Sequence, residues 1–175
     1  MSVFAKANIN NKLLNKLNNT NTIVFDFEQQ IKEKIEKGTC KIKYSKLMLC
    51  DYDDTYHKRI LSNGKMLAII QRRYKKIFYY SLKKTPLNLV LNKEFLIAMI
   101  KNTKPNNISN ETIEFKINID KKKKLSIFFD ATTLNIKGWS TIDLYNIKVN
   151  FLIKNLKTNV QMDDKIFRIP RKEDL

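Results

Sequence analysis

Glycine is scarce in this chain, with Gly38, Gly64 and Gly138 standing alone among 175 residues. No glycine-rich phosphate loop can be built from three isolated glycines. There is one histidine, His57, in a charged turn beside Tyr56 and Lys58. A general base or a metal ligand needs partners within reach, and no His/Cys/Glu cluster supplies them. The only cysteines, Cys40 and Cys50, lack the C-x-x-C spacing of redox and zinc sites. Asp51, Asp53 and Asp54 cluster, but without the glycine and final acid of a calcium loop they read as a solvated turn. No apolar run of about 18 residues is present, which excludes a membrane-spanning helix. These absences argue against an enzyme, and they call for neither a cofactor nor a metal.

Acids are the other shortage: 17 Asp and Glu face 34 Lys and Arg, for a formal charge of +17. Such an excess raises nucleic acid or an anionic membrane surface as partner. The lysines, however, are mostly scattered among asparagines and isoleucines, a bias that A- and T-rich codons also produce. No clustered arginine and aromatic stacking face of the RNA-binding type is visible, so nucleic acid ranks last. The densest block, 121–124, reads as a hairpin tip.

What is abundant is strand pattern. After an amphipathic helix over 8–18, Ile23, Phe25, Phe27 and Ile31 fall on one strand face. Cys40 and Cys50 lie symmetrically about Ser45, so a hairpin with a tight loop at 44–46 sets them directly opposite. Facing Cβ atoms stand roughly 4.5–5.5 Å apart, close enough for a bridge. Two buried free thiols remain the alternative. The first implies a compartment outside the cytosol. Ala5-Lys6-Ala7 has the small-x-small form that signal peptidase cuts, so residues 1–7 read as the remnant of an export signal ahead of a single domain over 8–175, with an ordinary flexible N-terminus as the alternative.

A polar turn over 51–57 follows, then strands 59–62 and 65–70 around Asn63-Gly64, which points to a type I′ hairpin. Strand 76–82 comes next. Thr85 as N-cap and Pro86 at the first helical position open an apolar helical segment to residue 100, with a break expected near Asn92-Lys93. A loop over 101–110 precedes strands 112–119, 124–130, 135–143, 146–154 and 166–169. Roughly ten strands with so little helix must curl to bury one face. The expected class is therefore mainly β with a helical lid (α+β): a curved antiparallel sheet forming an unclosed barrel. The excess of Phe, Tyr and Met either packs a plain core or encloses a pocket for an apolar ligand.

Several short motifs occur in a telling order: Phe25-x-Phe27-x-Gln29 after Leu17, then Gly38, Lys41-Ile-Lys43, Leu47 and Leu61-Ser-Asn-Gly-Lys65. Thr85-Pro86-Leu87, Asp143, Asn155-Leu156 and Phe167-x-Ile-Pro170 complete the set. In these the chain resembles, over nearly its whole length, the periplasmic outer-membrane lipoprotein carriers of the LolA type. The resemblance implies an unclosed barrel with its lid over an apolar cavity, no catalysis, and a monomer in the periplasm. It implies acylated lipoproteins as cargo, an inner-membrane lipoprotein-releasing transporter as donor and an outer-membrane acceptor. A related scaffold for another lipid is the alternative.

The hairpin register puts Ile42, Tyr44, Met48 and Tyr52 on one face, which the resemblance makes the concave one. With Leu13, Phe25, Phe27, Leu87, Leu91, Phe95 and Met99 they form the expected cavity lining. Many members carry Arg-Pro where Tyr44-Ser45 stands here, the arginine helping to hold the lid shut. A Tyr44 hydroxyl donating to lid carbonyls is the expected substitute.

Overall fold

A computed structural model describes residues 3–119, 124–142 and 147–175, and of residues 3–7 the backbone alone. Eleven strands form one sheet in the order β6-β5-β4-β3-β2-β1-β11-β10-β9-β8-β7, every pair antiparallel and the outer strands unpaired with each other. The first meander comprises β1 Thr22–Ile31, β2 Lys34–Lys43, β3 Leu47–Tyr52, β4 Lys58–Asn63, β5 Met66–Gln71 and β6 Lys76–Ser81. The second comprises β7 Asn107–Ile108, β8 Thr112–Asn118, β9 Lys124–Asp130, β10 Ile136–Ile142 and β11 Lys148–Thr158. Closure of the sequence onto itself occurs where β11 pairs with β1, not at the edges. The expected mainly β, unclosed architecture is thus present.

Among the described residues three α-helices, α1 Val3–Asn18, α2 Leu87–Val90 and α3 Lys93–Asn102, complete the fold. None of them is long and apolar enough to cross a membrane. Helix α1 begins ahead of the 8–18 pattern, because Ala5, Lys6 and Ala7 are good helix formers. The segment read as an export remnant is therefore helical from Val3. The central helical segment breaks where expected: Asn92 is extended and its side chain accepts from the Phe95 N–H at 3.2 Å. Thr85 does not act as N-cap. It closes a 3₁₀ turn instead, its hydroxyl donating to the Leu82 carbonyl at 2.9 Å.

Three further expectations are corrected. The 166–169 strand is a 3₁₀ turn, Asp164–Phe167, capped by the Asp163 side chain. Phe167 is buried there against Leu49 and Leu61 on the outer face of the sheet, in a small second core. The hairpin at Asn63-Gly64 exists, but only Gly64 takes positive φ, at +92°. Asn63 keeps a strand conformation and its side chain accepts from the amides of Lys65 and Met66, so the turn is not type I′. Gly64→Ala is expected to cost about 1–2 kcal/mol, the left-handed penalty for a Cβ, as read from the denaturation midpoint. Finally, β11 does not stop at residue 154 but runs on to Thr158 across a bulge, where Asn155 takes φ +51° and donates to Asp26 at 2.8 Å. Asp143 and most of the 121–124 run lie outside the described residues.

Candidate functional site

The β2–β3 register is the expected one: Cys40 faces Cys50, Ile42 faces Met48 and Gly38 faces Tyr52. The cysteines are joined by a disulfide with Cα atoms 4.1 Å apart, the close spacing of a non-hydrogen-bonded pair. Both are buried in the concave wall. The alternative of free thiols is excluded in this structure.

All eleven expected lining residues come together. Leu13, Phe25, Phe27, Ile42, Met48, Tyr52, Leu91 and Met99 belong to one buried apolar cluster, and Tyr44, Leu87 and Phe95 pack against it half-buried. Sequence reasoning missed the other half of the wall: Ile113 and Phe115 of β8, Ile127 and Phe129 of β9, Trp139 of β10 and Phe151 of β11. Their signal was the same apolar alternation that marked β1. A row of rings crosses the sheet, with Trp139 stacked on Phe151 at 4.1 Å, Phe151 on Phe27 at 4.8 Å, and Phe27 edge-on to Tyr52 at 4.8 Å. Gly38 makes room for the last pair, since a Cβ there would stand 2.9 Å from the Phe27 ring and 2.0 Å from the Asp51 carbonyl oxygen.

The described side chains of sheet and lid pack against one another in one apolar cluster. A cavity of about 20 Å³ beside Leu17, Tyr44 and Leu96 is the size of one water. That is far below the roughly 300–1,000 Å³ of a ligand pocket. Leu82, Val90, Leu91, Leu96 and Ile100 of the lid segment are fully buried, each contributing roughly 1.5–3 kcal/mol. Apolar contact therefore holds the lid down.

Polar contacts hold its rim. The Lys46 amide donates to the Leu91 carbonyl at 2.9 Å. The Ser45 hydroxyl donates to Glu94 at 2.9 Å and accepts from the Lys93 amide at 3.1 Å. Lys93 Nζ reaches the Asn18 carbonyl at 2.9 Å, and Asn10 donates to the Ile100 carbonyl at 2.7 Å. The tyrosine latch expected from the sequence is replaced by its neighbour. Tyr44 turns into the interior, where burial raises its phenol above the ordinary range, while Ser45 faces the lid. A hydroxyl next to a backbone turn needs no long side chain to reach α3, which is why residue type alone did not mark it.

Each of these bonds nets only about 0.5–1.5 kcal/mol, so the rim adds little to the hold that apolar burial gives. Ser45→Ala is expected to raise the open fraction about five-fold, read as faster entry of a fluorescent acyl probe. An unchanged entry rate removes Ser45 from the latch. Glu94 is held below the usual carboxylate range, first by its own backbone N–H and then by the Ser45 hydroxyl. A depressed folded value means the carboxylate's share of the latch is complete above the ordinary glutamate range and is lost as pH falls through the depressed value. Probe entry is therefore expected to be flat at neutral pH and to quicken only under acid, an effect flattened in Ser45→Ala.

At the other end of the wall Tyr52 donates to Gln29 at 3.0 Å, and Lys58 lies 3.8 Å over its ring while pairing with Glu36 at 2.6 Å. His57 is an exposed turn residue, Asp54 accepts from the turn amides of Tyr56 and Lys58, and Asp51 is taken by Arg59.

Residues 18–170 match the family described as outer membrane lipoprotein carrier protein LolA. The chain belongs to the LolA family. No curated protein matches this LolA-family chain by sequence. Among solved structures it is similar to an uncharacterized conserved protein from Thermus thermophilus, with TM-score 0.56, 6% identity and 94% of each chain covered. A DUF1329 family protein from Desulfovibrio piger aligns with TM-score 0.52 at 8% identity, over 95% of this chain and 97% of the other. MucB aligns with TM-score 0.52 at 10% identity, over 96% of this chain and 64% of the other. At such identities the likeness is one of fold.

Proposed function

We propose that this LolA-family protein is a non-catalytic periplasmic carrier that holds the acyl chains of lipoproteins between sheet and lid and passes them from the inner to the outer membrane. The observation that supports it most is the lid itself: three helices seated on an apolar wall by exchangeable contacts. An empty cavity would carry a cost in lost contacts, and the cavity beside Leu17, Tyr44 and Leu96 is only about 20 Å³. When the lid lifts, acyl methylenes replace leucine and methionine contacts with others of the same kind. Net affinity is then small, as reversible transfer requires, because opening the lid is subtracted from it. A single myristoyl chain binds a bilayer with only about 10⁴ M⁻¹, so a carrier of similar apolar area competes with a membrane without trapping its cargo. Met48 and Met99 suit disordered chains because the thioether side chain adapts its shape.

The test is binding of a triacylated or diacylated lipopeptide to the purified protein, alongside depletion of the protein in its own cell. Expected results are saturable uptake of the acylated peptide, none of the unacylated one, and lipoproteins stranded at the inner membrane. A protein that neither binds the lipopeptide nor alters sorting overturns the proposal. Recovery of a different lipid class from the purified protein points instead to a related carrier.

A further inference from the structure

Strand β6 is an outer strand of the sheet and it is not built like an ordinary edge. Phe78, Tyr79 and Tyr80 are 43%, 50% and 47% exposed, and Tyr74 at its start is 50% exposed. Tyr56, also exposed, packs its ring 5.6 Å from that of Tyr74. Five of the nine large hydrophobic side chains exposed among the described residues thus gather at this corner. Around them stand six exposed cations: Arg72, Arg73, Lys75, Lys76, Lys83 and Lys84.

Charge is distributed unevenly here. Residues 55–93 contain ten Lys and Arg and no Asp or Glu. Some cations away from this edge do find acids: Lys34 and Lys58 share Glu36, Lys37 and Lys154 share Glu28, and Arg59 holds Asp51. None of the six cations flanking β6 meets a carboxylate among the described residues. Lysine on an edge is a common guard against strand-to-strand aggregation. That guard explains the lysines but not four exposed rings beside them.

We infer that the β6 edge, residues 72–84, is a docking surface for the anionic face of a lipid bilayer. Cations meet the lipid phosphates while the tyrosine and phenylalanine rings enter the headgroup layer, where amphipathic aromatic rings concentrate. Successive strand residues point to opposite faces, so Phe78 and Tyr80 project on one side and Tyr79 on the other. Rings splayed this way make no single platform for stacking bases, yet all of them enter a fluid layer approached edge-on. The inference stands on this edge alone and does not depend on the carrier reading.

Vesicle co-sedimentation tests it, with phosphatidylcholine vesicles compared against vesicles also containing phosphatidylglycerol. The protein is expected on the phosphatidylglycerol vesicles only, with binding that weakens as salt is raised. Each neutralised cation is expected to lower partitioning about five-fold, so a quadruple variant of Arg72, Arg73, Lys75 and Lys76 to Gln should lose nearly all of it. A charge-matched control, Lys41, Lys104, Lys148 and Lys157 to Gln, should keep most. Phe78→Ser with Tyr79→Ser should remove the part that survives high salt. Equal losses in the two charge variants overturn the inference, as does tighter binding of a single-stranded oligonucleotide or an acidic peptide than of phosphatidylglycerol vesicles. All substituted residues are exposed, and an unchanged urea midpoint in the edge variants shows that the fold is intact.

Discussion

Phe27→Ala is expected to destabilise the protein by about 3–5 kcal/mol, measured from the shift in urea midpoint at constant slope. Phe27 is 2% exposed and sits at the middle of the ring row, between Phe151 and Tyr52. Its neighbours cannot close over the gap, because Trp139 already stacks on Phe151 and Gly38 supplies no side chain to lean inward. The cost should therefore fall high in the range seen for buried aromatic rings. Phe27→Leu keeps most of the volume and should lose clearly less. A loss below about 1.5 kcal/mol for the alanine variant would show that the interior repacks freely. That same outcome would favour a wall soft enough to admit acyl chains without lid movement.

Loss of the Cys40–Cys50 bond is the second large effect. Replacing both cysteines with alanine is expected to cost about 2–4 kcal/mol, and reductant should bring the wild-type protein down to nearly the same midpoint. The bond joins residues ten apart in sequence, so its benefit comes from restricting the unfolded hairpin more than from new contacts. Its position also matters for the site. The hairpin it ties carries the turn that binds α3 through Ser45 and Lys46. Reduction is therefore expected to quicken acyl-probe entry as well as to lower stability. A midpoint indifferent to reductant would mean that the two sulfurs are not bonded in solution.

How legible each element was follows from the range of the forces that make it. The Cys40–Cys50 register was readable because a tight turn and two facing strands are set within a dozen or so residues. The break at Asn92 was readable for the same reason, a side chain capping a helix start three residues on. Thr85 misled because its hydroxyl had two local choices, and the Leu82 carbonyl won. The 166–169 segment misled because its apolar alternation is also what a turn needs to drop Phe167 onto Leu49 and Leu61. Nothing local reveals that partner. Asn63 carried the right signal for a hairpin and the wrong one for its type, since its side chain took up the turn amides.

By itself the sequence determined the class: alternation with a period of two and little helix. It also determined which face of the β2–β3 hairpin is apolar, because a pleated strand sends neighbouring residues to opposite sides. Only the tertiary structure decided that β11 returns to β1, so that both meanders share one wall. Only it set Ser45 rather than Tyr44 against the lid, and left the cations flanking β6 without acids while Lys34, Lys37 and Lys43 of β2 found theirs. These outcomes depend on which distant segments meet once apolar burial has chosen the packing, and apolar burial carries no address in sequence.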